Sequence, residues 1–140
     1  MIQPVILSIR GRQTYADQEP DVIELVTEGQ MEYQDGGWEI RYEESDLTGL
    51  KGVTTCFRIE PDKITLTRTG TLNSQMVFQL GIPNESLYRM EFGALMIRVC
   101  ANSMFFDITP EGGVIDLGYS IEIENSQAGE IDYHLDIRAV

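Results

Sequence analysis

The sequence predicts an all-β fold, a single antiparallel, meandering β-barrel of about 8–10 strands, on three observations. Near the C-terminus apolar residues fall on every second position: Ile115, Leu117, Tyr119, Ile121 and Ile123 share one parity, and Asp116, Ser120, Glu122 and Glu124 the other. After a short polar break the pattern resumes, with Ile131, Tyr133, Leu135, Ile137 and Ala139 opposed to Asp132, His134, Asp136 and Arg138. Side chains of a strand alternate between its faces, so each run is an antiparallel strand with one dry and one wet face. Elsewhere, short apolar runs recur at spacings of roughly 8–12 residues, divided by Gly, Asp, Asn and Pro turns and without the long crossovers of Greek-key sandwiches. Closing such a meander removes both exposed sheet edges.

Taken in order, Val5, Leu7 and Ile9 open an alternating segment that runs toward Gln13, and Asp17 to Asp21, with Pro20, forms a polar connection. Ile23, Leu25, Thr27, Gly29, Met31 and Tyr33 make a longer strand, after which Asp35-Gly36-Gly37 signals a hairpin. Its partner carries Trp38, Ile40 and Tyr42 on one face and breaks through Ser45-Asp46-Leu47-Thr48-Gly49 and Gly52. Val53, Thr55, Phe57 and Ile59 follow, then the turn Pro61-Asp62-Lys63, where proline presets the backbone. Ile64 and Leu66 lead to Arg68 and Gly70, with Thr65, Thr67 and Thr69 opposite; Met76, Phe78 and Leu80 precede a break from Gly81 to Ser86.

Between Leu87 and Ala101 two periods compete. Leu87, Met90, Ala94, Ile97 and Ala101 stand at roughly helical intervals behind the potential caps Asn84 and Ser86. Gly93 would cost such a helix about 1 kcal/mol, and Leu95, Ile97 and Val99 alternate with Met96, Arg98 and Cys100, which favours two strands hinged near Gly93. Asn102-Ser103 is then expected to turn the chain into Met104 to Ile108, and Pro110-Glu111-Gly112-Gly113 into the final pair.

At 140 residues, with no linker, repeat or low-complexity tract, the chain is expected to form one domain over residues 1–140. Its net charge of −13 disfavours nucleic acid and anionic membranes, whose binding needs clustered Lys and Arg, and its ten basic residues are scattered along the sequence. No apolar run approaches the ~20 residues of a membrane span, and Met1-Ile2-Gln3-Pro4 lacks a basic leader, so a cytoplasmic location is expected. In that setting the Asn84-Glu85-Ser86 sequon carries no meaning. Cys56 and Cys100 have neither metal-binding nor disulfide spacing and are expected to be reduced, packed thiols.

The strings Ile23-Glu24-Leu25-Val26-Thr27-Glu28-Gly29 and Tyr42-Glu43-Glu44-Ser45-Asp46-Leu47-Thr48-Gly49, the pair Arg68 and Gly70 with Met76-Val77-Phe78 downstream, and Gly112-Gly113 before Tyr119 resemble the YwiB-like family of small bacterial proteins. The resemblance covers nearly the whole chain and is most specific over Tyr42 to Gly49 with Arg68-x-Gly70. It implies a calycin-like, lipocalin-like barrel and brings no biochemical activity with it. A departure lies at Tyr88-Arg89-Met90-Glu91-Phe92-Gly93, where the family tends to read Tyr-x-Thr-Pro-Tyr-Gly, so any rim shaped by a Thr-Pro turn is expected to differ here.

Function has to be sought in polar residues of inward parity. Arg68 continues the face of Ile64 and Leu66, and Glu44 that of Trp38, Ile40 and Tyr42, both at strand ends and so near a barrel mouth. One reading is that Arg68, held by Glu44 and helped by Tyr42 and Tyr119, receives the anionic head of a small amphipathic ligand whose tail fills the apolar lumen. The blander reading, that Arg68 and Glu44 pair and plug the opening or that Arg68 snorkels to water, takes precedence on sequence alone, because a buried charge needs a partner whatever its role.

Asp132, His134 and Asp136 share a strand face, but neighbours two apart lie roughly 6.6–6.8 Å from one another, wide for metal ligands, and a solvated polar face is expected. There is no G-x-S-x-G elbow, and among 23 acidic residues a close pair such as Glu43 and Asp46 carries little weight. No catalytic residue, metal or cofactor is therefore expected. The sequence points first to a non-enzymatic barrel binding a small apolar or amphipathic ligand, and second to a structural or protein-interaction module with a filled lumen. A two-fold homodimer through open strand edges is compatible with either.

Overall fold

Alternation becomes ten strands in a computed structural model of the chain, which describes residues 2–14, 19–46 and 50–140. They are β1 (Gln3–Thr14), β2 (Asp21–Gln34), β3 (Gly37–Glu43), β4 (Val53–Glu60), β5 (Lys63–Gly70), β6 (Ser74–Phe78), β7 (Pro83–Met90), β8 (Gly93–Thr109), β9 (Gly112–Ile123) and β10 (Ser126–Ala139). The expected connection from Asp17 and the Leu47-Thr48-Gly49 part of the break after the third strand lie outside the described residues. Among those residues no helix is long and apolar enough to cross a membrane.

Each strand pairs antiparallel with its neighbour in sequence from β1 to β6 and from β7 to β10, and β10 folds back onto β1, so the ribbon curls into a nearly closed meandering barrel. Only β6 and β7 meet without a ladder. Their seam is bridged by reciprocal backbone hydrogen bonds between Asn73 and Arg89 (3.0 and 2.8 Å) and by Gly81 N–H to the Ala101 carbonyl (2.9 Å). Asp35 and Gly36 both take positive φ in the β2–β3 hairpin, the geometry that matches strand twist.

Three expectations are corrected. The chain does not turn at Asn102-Ser103; β8 runs through with a bulge between Ala101 and Ser103, which moves the inward parity from Ile97, Val99 and Ala101 to Met104, Phe106 and Ile108. Residues Pro83 to Ser86 belong to a strand, because Pro83 needs no ladder donor on the seam edge of β7. Cys56 and Cys100 are free thiols of outward parity and only half-buried, since the core takes the opposite face of β4 and β8. Arg41, Arg58 and Lys63, scattered in sequence, are gathered on the outer wall with Glu39 and Glu60; Glu39 joins Arg41 and Arg58 at 3.0 and 2.9 Å.

The lumen has two unlike ends. Where β1 starts and β10 finishes, Leu7, Met31, Ile40, Phe57, Leu66 and Phe78 are all but fully buried. Burial stabilises such side chains by roughly 1.5–3 kcal/mol each. Two glycines of the family strings make close approaches possible: a Cβ at Gly29 would stand 2.6 Å from the Arg41 carbonyl, and one at Gly70 (φ 126°) 2.1 Å from that of Gly52. At the other end the walls differ in height. β2 pairs with β3 only from Gly29 onward, so Asp21 to Glu28 rise beyond the end of β3 with β1 alone beside them.

Candidate functional site

Above the packed end the inward positions change character. Along β9 the row passes from Leu117 to Tyr119, along β10 from Leu135 to Tyr133, along β3 from Ile40 to Tyr42, and along β5 from Leu66 to Arg68. The resulting layer rests on the aromatic top of the core: Tyr119 lies on Phe78 with ring centroids 4.5 Å apart, and Tyr133 stands edge-on to Phe57 at 6.2 Å.

Arg68 is only 9% exposed. Its Nη2 donates to the Tyr133 hydroxyl across the barrel at 3.2 Å, and its buried Nε has no hydrogen-bond partner. Among the described residues no carboxylate stands within ion-pair distance of it, and the expectation that Glu44 holds Arg68 is corrected. Thr55 separates Tyr42 from Arg68 in the ladder, and its hydroxyl donates to Glu44 Oε2 at 2.5 Å. Directly across from Arg68, on β6, the Ser74 hydroxyl is likewise buried and without a partner. These two opposed residues hold the buried side-chain polar atoms that remain unsatisfied among the described residues.

The electrostatics of the layer follow from burial. Burial works against the charge on Arg68, the oxygens of the surrounding phenols, Tyr133 and then Tyr119 foremost, work for it, and the guanidinium stays protonated. Burial, reinforced by the neighbouring Glu44 carboxylate, raises the pKa of Tyr42 far above the ordinary phenol range. Tyr119 is raised as well, by burial first and by Tyr133 second. Both phenols therefore stay neutral.

Beyond this layer opens a cavity of about 450 Å³. Its apolar wall includes Ile23, Leu25, Leu95, Ile121, Ile123 and Ile131, and all four residues singled out from sequence, Tyr42, Glu44, Arg68 and Tyr119, line it. Sequence reasoning placed Arg68 at the mouth with an apolar lumen beyond it. The order is reversed, because β5 belongs to the short wall: Arg68 sits at the floor and the aliphatic collar lies outside it. Tyr133 and Ser74 were missed, although their inward parity, beside Leu135 and beside Met76 and Phe78, was the available signal.

His134 is clamped on the outer wall, with Nδ1 2.6 Å from Asp116 Oδ1 and Nε2 3.0 Å from Asp136 Oδ2. Register explains the partners, since Asp116 on β9 faces His134 directly. These contacts raise its pKa, Asp116 contributing most. Among the described residues no group of three potential ligands could hold a metal ion.

Comparison with known proteins agrees with this architecture. The model of a family described as a domain of unknown function (DUF1934) matches residues 7–137. A solved structure, the ywiB protein from Bacillus subtilis, superposes with a TM-score of 0.88 at 20% identity over 99% of this chain and 93% of that one, which establishes a shared barrel fold. No curated protein matches in sequence.

Proposed function

For a chain that belongs to the DUF1934 family, whose function is unknown, we propose non-enzymatic binding of a small amphipathic molecule in the hollow half of the barrel, with an anionic group against Arg68. The observation that carries this reading is the buried guanidinium that has no counter-ion among the described residues, its Nε unsatisfied and Ser74 equally unsatisfied opposite. A charge held out of water requires a partner, and here the protein supplies a phenol where an anion would complete the site. The cavity lies within the ~300–1,000 Å³ range usual for small-molecule sites and combines apolar walls with a few convergent polar groups. Neutral Tyr42 and Tyr119 suit hydrogen-bond donation better than proton abstraction, which favours binding over catalysis.

Native mass spectrometry of freshly purified protein tests this. A stable added mass on the wild-type chain that is lost from Arg68→Ala supports the proposal. An added mass retained by Arg68→Ala, or a bare chain that takes up no decanoate, refutes it.

A further inference from the structure

We propose that the ligand is a single-chain monocarboxylate bound head first, its carboxylate on Arg68 at the floor and its alkyl tail pointing out through the aliphatic collar. This rests on the ligand-binding reading above and adds the orientation and class of the ligand.

Strand direction fixes the order of the layers. Moving outward from the tyrosines, β9 presents Tyr119, then Ile121, then Ile123; β10 presents Tyr133 and then Ile131; β2 presents Leu25 and then Ile23. These three walls thus become aliphatic above the tyrosines, while Gln13 of β1 and Asp21 of β2 line the cavity at its outer end. In the other direction the lumen is closed by Leu117, Leu135, Phe57 and Phe78, which leave no room for a tail beneath the charge. A head held at the rim would leave Arg68 unpaired, and a tail at the floor would desolvate the guanidinium further.

The number of charges selects the class. Among the described residues lining the cavity Arg68 is the one cation, with Glu44 near it and Asp21 at the outer end. One guanidinium neutralises a carboxylate, whereas a phosphate dianion would leave excess negative charge in a buried layer beside Glu44. Size limits the tail. From Tyr119 to Ile123 the strand rises about 13 Å, close to the length of an extended decanoate. Ile23, already 43% exposed at the outer end of the collar, is a surface such a tail would cover.

The experiment uses decanoate labelled with ¹³C either at the carboxyl or at the terminal methyl, bound to the full chain, with a neutral, water-soluble gadolinium chelate added. Head-first binding predicts a methyl resonance broadened by the chelate and a protected carboxyl resonance. It also predicts a loss of affinity of roughly tenfold or more in Arg68→Met, from removal of a charge-assisted pair, and a smaller loss in Tyr133→Phe. A broadened carboxyl with a protected methyl overturns the orientation while leaving a ligand-binding barrel. Binding of decyl phosphate tighter than decanoate overturns the monocarboxylate class. Absence of any bound signal overturns both this inference and the proposal it rests on.

Discussion

The packed and hollow ends of the lumen are made by one sheet with one alternation, and they differ in what the inward parity carries. At the packed end all the walls are present and their inward residues, from Leu7 to Phe78, interdigitate without polar atoms. At the hollow end β3, β4 and β5 stop, the longer β1, β2, β8, β9 and β10 continue, and the inward residues become Arg68 and tyrosines followed by an aliphatic collar that packs on the core below it and lines an open cavity. The difference teaches that alternation decides which way a side chain faces, and strand length decides whether anything stands opposite to receive it. Stability belongs to the first end. The proposed ligand site belongs to the second.

The comparison makes its largest claim about the core. Phe78→Ala should lower stability by about 3–5 kcal/mol in urea or thermal unfolding, the cost of a large cavity in a closed pack. A loss below about 1 kcal/mol would mean that the two ends are equally loose. Next, Arg68→Met should leave the stability of the ligand-free protein unchanged or raise it by up to about 1–3 kcal/mol, because it replaces a buried charge partnered by phenols alone with an apolar side chain of similar length. Destabilisation there would show that Arg68 is a structural plug. In the collar, Ile121→Ala should cost less than about 1 kcal/mol, since it leaves no sealed void. A core-like cost would count against an open cavity.

The smallest effect lies on the outer wall. His134 has a folded pKa above its unfolded value, so its clamp contributes in full below the unfolded pKa of about 6.5 and is lost as pH rises through the folded value. His134→Gln should remove that loss and, because the pair is exposed, change stability by no more than about 0.2–1 kcal/mol. An imidazole that titrates by NMR at or below the ordinary histidine value would contradict the clamp.

Much of this molecule can be read from parity alone. The meander, the strand pair hinged at Gly93, and the inward placement of Tyr42, Glu44, Arg68 and Tyr119 all follow from period-two patterning. What could not be read depends on residues meeting across the lumen or on local irregularity. Arg68 meets Tyr133, 65 positions away, because of how the strands stagger around the barrel, and no spacing in the chain encodes that. A single bulged residue at Asn102 resembled a turn because Asn and Ser are turn formers, and the polar inward residues Asn84 and Ser86 made β7 look like a loop. Asp116 was overlooked as the partner of His134 because register across two strands outranks proximity along one.

The β6–β7 seam gives the cylinder an asymmetric mechanics. Opposite it, β1 and β10 are joined at ten paired positions, from Val5 with Ala139 to Thr14 with Glu130, whereas the seam is fastened by the Asn73–Arg89 and Gly81–Ala101 contacts near its two extremities. A hoop tied so unevenly dilates at its weakest stitch. Its girth can therefore widen between those two fastenings, along Met76 and Phe78, while every full ladder stays zipped.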